Sequence, residues 1–143
     1  MQMLRRMSAE AKLGVLALLT ALALVSPSMT GHTSQTIVNP YKARVVIHND
    51  TGVAIRYLLK WGLSGEWKTI TVNNGMLYWH SYRLDPDDRA PEPYIRFHNA
   101  AGAYTEYKLE FGKFGRGPRG EMDDSRHYEF AFEGGSRLDL YKK

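Results

Sequence analysis

Between residues 53 and 61 the odd positions, Val53, Ile55, Tyr57, Leu59 and Trp61, are all apolar or aromatic, while Arg56 and Lys60 take the other parity. A period of two marks a strand with one buried face. Similar runs, rich in β-branched and aromatic residues and closed by Gly, Asn, Asp or Pro, span 43–48, 53–61, 66–73, 76–84, 94–98, 103–111, 126–132 and 137–141. Eight runs at this spacing predict an all-β fold, an eight-stranded antiparallel sandwich or a small barrel. No helical period follows residue 31.

Turn chemistry sharpens the pattern into registers. Asn49, Asp50, Thr51 and Gly52 suit a hairpin loop that sets Ile47 opposite Ile55 and Val45 opposite Tyr57. Laying residues 45–65 over 95–115 gives seven identities in 21 positions, His48 with His98 and Tyr57 with Tyr107 among them, where about one or two are expected by chance. Two similar four-strand halves, 43–84 and 94–141, are therefore expected. The second opens on a hairpin with Phe97 opposite Thr105 and Ile95 opposite Tyr107, and His48 and His98 face outward. The alternative is that two unrelated hairpins share a common turn grammar. For the last hairpin, a loop through Gly134, Gly135 and Ser136 is preferred because it buries like with like: Phe132 opposite Leu138 and Phe130 opposite Leu140.

Asn74 and Gly75 both tolerate the positive φ of a type I′ turn. A hairpin closed there would set Val72 opposite Leu77 and Ile70 opposite Trp79 on one face. The other face would pair Trp67 with Tyr82, Thr69 with His80 and Thr71 with Tyr78. That second face mixes rings with hydroxyls and an imidazole. Sugar rings stack their C–H patches on such rings and hydrogen-bond to such polar groups. Trp67, Tyr78, His80 and Tyr82 are the candidate ligand contacts, unless a second sheet covers them as ordinary core.

The first 40 residues contain no aromatic residue. Arg5, Arg6 and Lys12 precede an apolar run at 13–25, and Ser26, Pro27 and Ser28 follow it. That order predicts a helical signal peptide with its cleavage region in 1–31, then a polar spacer over 32–42 and a single β domain over 43–143. At 1.5 Å per residue the apolar run spans about 20 Å, short of a bilayer core. A secreted or periplasmic protein is expected, with no membrane contact after cleavage; an uncleaved N-terminal anchor is the alternative.

The leader also changes the charge. The whole chain has Lys+Arg 19 against Asp+Glu 15 and a net charge of +4. Removing Arg5, Arg6, Lys12 and Glu10 leaves +2. A nucleic-acid partner loses its support with the leader. With no Cys, no disulfide can stabilise an exported domain of this size, and packing alone must hold it.

Other chemistry lacks its parts. There is no Gly-x-Ser-x-Gly elbow, no His-Glu-x-x-His and no phosphate loop, so no enzyme and no cofactor are expected. A metal-dependent hydrolase would require at least two of His48, His80 and His98 to converge; no metal site is expected. Asp85, Asp87, Asp88 and Glu92 offer oxygen ligands without EF-hand spacing and read as a polar connection over 85–93. The glycines of 112–125 read as a flexible loop in which Phe114 either pins the loop or offers a contact. Asn49-Asp50-Thr51 is a glycosylation sequon, or more simply a turn. The expected role is a non-catalytic binding module for an envelope carbohydrate or a protein partner, with a purely structural domain as the alternative. Oligomeric state cannot be read from the chain.

Overall fold

The structure, a computed structural model, describes residues 38–99 and 102–143. The expected signal peptide and residues 32–37 of the spacer lie outside the described residues. The first strand begins two residues before the predicted domain start.

Ten strands form among the described residues: β1 (Tyr41–Asn49), β2 (Ile55–Trp61), β3 (Lys68–Val72), β4 (Met76–Arg83), β5 (Pro93–His98), β6 (Tyr104–Lys108), β7 (Gly112–Gly117), β8 (Gly120–Asp123), β9 (Arg126–Glu133) and β10 (Arg137–Lys142). Every predicted run is present as a strand. The two additional strands, β7 and β8, replace the predicted loop. Its glycines are there for close approach: a Cβ on Gly112 would overlap the carbonyl oxygen of Asp124, and one on Gly117 would overlap the Tyr41 hydroxyl. A segment that reads as flexible is in fact tightly packed backbone.

The strands make a six-stranded and a four-stranded sheet, the latter ordered β3-β2-β5-β6. Strand β1 organises the larger sheet. Along one side it pairs with β4 from Lys42 to Asn49, and along the other first with β7 from Tyr41 to Arg44 and then with β9 from Val45 to Asn49. The β1–β9 pairing is parallel, whereas an entirely antiparallel fold was expected. Hairpins β7–β8 and β9–β10 complete that sheet.

Alternation puts the core between the sheets. Val45 and Ile47 of β1 meet Tyr57 and Leu59 of β2, Ile95 and Phe97 of β5, Tyr128 and Phe130 of β9 and Leu138 of β10 in one buried cluster. Phe97 and Phe130 meet edge to face, with centroids 5.0 Å apart. The fold is an all-β, two-sheet sandwich.

Two expected hairpins keep their register. Phe97 lies opposite Thr105 and Ile95 opposite Tyr107; Phe132 lies opposite Leu138 and Phe130 opposite Leu140. Two others do not form. Strand β1 belongs to the larger sheet and β2 to the smaller, so 50–54 is an arch between sheets and Ile47 does not pair with Ile55. The chain also turns at Asn74–Gly75, with φ +72° at Gly75 and its closing hydrogen bond from Met76 N to Asn73 O at 3.1 Å. Yet β3 then pairs with β2 and β4 with β1, so the predicted cross-strand pairs of 66–84 are absent.

Asn49 holds both arches. It is fully buried; its Nδ2 donates to Val53 O at 2.7 Å and Val72 O at 2.8 Å, and its Oδ1 accepts from Thr51 N and Thr51 Oγ1. Its carbonyl accepts from Gly75 N at 2.7 Å, and Gly52 N donates to Asn74 Oδ1 at 2.6 Å. An amide with donors and acceptor all engaged inside the protein offers no nitrogen for a glycan, so the sequon acts as the turn reading holds.

Candidate functional site

Because β3 and β4 diverge into different sheets, the inner face of β4 is left partly uncovered. On β4 the side chains alternate: Tyr78, His80 and Tyr82 lie opposite Ile47, Val45 and Ala43 of β1 and point inward with them. They border a cleft of about 890 Å³, whose other wall carries Trp61, Lys68 and Ile70 from the smaller sheet. Tyr78 is 48% and Tyr82 41% exposed.

The rings stand in two stacks. Tyr82 packs on Trp61, centroids 5.3 Å apart, and Trp61 on Phe111 at 6.0 Å. Deeper along β4, Tyr78 packs on His80 at 5.0 Å, and His80 meets the buried Tyr57 edge-on at 5.7 Å. Half-buried rings, Trp61 behind Tyr82 and His80 behind Tyr78, thus support each exposed ring and hold its orientation before any ligand arrives.

The cleft floor is polar and neutral. Tyr57 Oη lies 2.7 Å from His80 Nε2. Burial pushes the His80 pKa down to about 4, while burial and then the neighbouring Tyr78 raise that of Tyr57. At neutral pH the imidazole carries no charge and the phenol keeps its proton, so one neutral group donates to the other across this contact. Such a site presents stacking faces, hydroxyls and an imidazole, with Lys60, Glu66 and Lys68 along the wall of the smaller sheet.

Trp67 does not join this group. It precedes β3 on the outer face of the smaller sheet, between the Lys60 ammonium at 4.7 Å and the Arg96 guanidinium at 4.6 Å from its ring. Its predicted neighbour Tyr82 depended on a 66–84 hairpin that does not form. Trp61 takes its place beside Tyr82; the alternation of 53–61 marked that indole as inward-facing but could not show which ring it would meet.

The histidines of the metal alternative lie on three surfaces. His80 faces the cleft, His98 stacks on Tyr104 at 3.8 Å outside the smaller sheet, and His48 lies outside the larger sheet. The neighbour of His48 is His127, with Nε2 to Nδ1 at 2.8 Å, a pairing that no local signal across 79 residues announces. Among the described residues no three metal-binding side chains come together.

The carboxylates of 85–93 are likewise engaged by protein groups. Asp85 Oδ1 accepts from Asp87 N and Arg89 N, Asp88 pairs with Lys113, and Glu92 with Lys108. Phe114 lies beneath the Arg44 guanidinium, 3.1 Å from carbon to ring centroid, which makes it a pin rather than a free contact. No helix among the described residues is long and apolar enough to cross a membrane.

The chain matches no protein-family model, and neither curated proteins nor solved structures provide a match.

Proposed function

We propose that the protein is an exported, non-catalytic binding module that takes an envelope glycan into the cleft between β3 and β4. The observation that carries this reading is the exposure of Tyr78 and Tyr82 on an inner sheet face, each ring backed by another ring. In an ordinary sandwich that face is closed and its aromatics are core. Here two rings on one strand, Tyr78 and Tyr82, stand four residues apart, about 13 Å along an extended strand. That separation fits an oligosaccharide of two to three residues better than a single sugar. The His80 imidazole and the hydroxyls of both tyrosines supply hydrogen bonds at the edge of the stacked sugar.

Export rests on the charged, apolar and polar order of residues 1–31, and places the module where such glycans occur, in the periplasm or outside the cell; retention by an uncleaved leader would leave it on the membrane surface. The residues of the cleft include no base–nucleophile pair beyond the phenol–imidazole contact, which favours binding over catalysis.

A glycan array probed with the purified protein tests the reading. Tyr82→Ala and Tyr78→Ala are expected to lose the signal, and Trp67→Ala to keep it. An array on which the wild type binds nothing, or on which the two tyrosine variants bind as the wild type does, refutes a carbohydrate cleft.

A further inference from the structure

Strand β4 is anomalous as an edge. Among the described residues it pairs with β1 on one side only, so its other side presents backbone donors and acceptors with no strand partner among them. Proteins protect such edges with charge, proline, shortness or a bulge. The other four edge strands follow that rule among the described residues. β3 is five residues long and carries Lys68; β6 carries Glu106 and Lys108; β8 has four residues with Glu121 and Asp123; β10 carries Arg137, Asp139 and Lys142. From Met76 to Tyr82, β4 has no Asp, Glu, Lys, Arg, Pro or Gly. It exposes Met76, Leu77, Tyr78, Trp79 and Tyr82, spread over both faces.

The occupant of such an edge must itself be an extended strand, uncharged over seven residues and apolar on both faces. Among the described strands one has that character, and it is β4 itself. Opposed residues on antiparallel strands share a face, so pairings of like parity keep inner faces together. A two-fold axis at Trp79 satisfies this. It sets Trp79 opposite its own copy, Tyr78 opposite His80 and Leu77 opposite Ser81, and carries each Arg83 beyond the ladder to Gly75, so that no like charges meet.

We propose that β4 pairs with β4 of a second copy of this chain, antiparallel about Trp79, extending the larger sheet across two molecules. The two clefts then adjoin. Tyr78 and His80 of one copy then lie beside His80 and Tyr78 of the other, with the two Tyr82 rings at opposite ends, doubling the rings available to a long chain-like ligand. The pairing rests on the edge alone and stands whether or not the cleft binds a glycan.

Sedimentation velocity of the purified full chain over a range of micromolar concentrations provides the test. The wild type is expected to dimerise. Trp79→Lys and Leu77→Lys, both on the parity opposite Tyr78, His80 and Tyr82, are expected to raise the dimer dissociation constant at least tenfold with an unchanged circular dichroism spectrum. Thr71→Lys on the edge of β3 is expected to leave it unaltered. Because the chain has no Cys, a Trp79→Cys variant adds an independent readout: oxidation is expected to give a covalent dimer through that position. A wild type that stays monomeric, or a dimer that both lysine variants leave intact and Trp79→Cys does not trap, overturns the proposal.

Discussion

Replacing Asn49 with alanine is expected to release both arches and with them the separation of β3 from β4. The substitution removes four hydrogen bonds made by one side chain: to Val53 O, to Val72 O and from both donors of Thr51. They do not count equally. Val72 O is in buried surroundings and would be left without that donor, at a cost of about 1–3 kcal/mol. Val53 O keeps a contact from Thr51 Oγ1 at 3.2 Å, and the Thr51 groups can turn to water, so these three together contribute about 1–2 kcal/mol. The loss sums to about 2–5 kcal/mol, a large share of the 5–15 kcal/mol that ordinarily separates folded from unfolded. Urea unfolding followed by tryptophan fluorescence measures it. Thr51→Val, which removes the hydroxyl's bond to Asn49 Oδ1 but leaves the two bonds that Asn49 Nδ2 donates to Val53 O and Val72 O in place, is expected to cost no more than about 1 kcal/mol. If Asn49→Ala changes stability by less than about 1 kcal/mol, the arches are held by something other than this amide.

Acidification tests the cleft floor. The His80 pKa is about 4 in the fold against roughly 6.5 when unfolded, so the unfolded chain binds the proton first. Stability is then fully present above about pH 6.5 and falls as the pH drops toward 4, by up to about 3 kcal/mol. Burial, Lys143 and His127 also lower the pKa of His48, which adds a loss of the same sign. His80→Gln is expected to remove the larger part of this slope in pH-dependent melting, and an unchanged slope would show that His80 is not desolvated. Gly112→Ala is expected to destabilise by about 1–3 kcal/mol or more, because its methyl group meets a backbone carbonyl that cannot swing aside; wild-type stability would place β7 wrongly against the Asp124 backbone.

Features decided within a strand and its adjoining turn were legible in the sequence. Alternation located all eight predicted runs, and loop length with like-on-like burial set the registers of β5–β6 and β9–β10, whose partners stay in one sheet. The same grammar misled at 49–52 and at Asn74–Gly75. A turn sequence states that the chain reverses, and says nothing about whether the ladder continues. Here the ladder gives way to arches in which the Asn49 amide reaches Val72, 23 residues away. Strand parity was enough to gather Tyr78, His80 and Tyr82 on one face, because that relation is internal to β4. Trp67 was joined to them only through a cross-strand register that the arch abolishes, and Trp61 and His127 were missed because their partners come from strands distant in sequence. Glycines at 112, 115, 117 and 120 suggested mobility by composition, when three of them, Gly112, Gly115 and Gly117, make room for close neighbours.

The most direct measurement is calorimetric titration of an array-selected oligosaccharide into wild type, Tyr82→Ala and Trp67→Ala. The account predicts at least a tenfold loss of affinity in Tyr82→Ala, corresponding to about 1.4 kcal/mol of lost stacking, and unchanged affinity in Trp67→Ala. Affinity that survives in Tyr82→Ala, or that falls only in Trp67→Ala, would move the binding surface to the outer face of the smaller sheet and contradict the cleft.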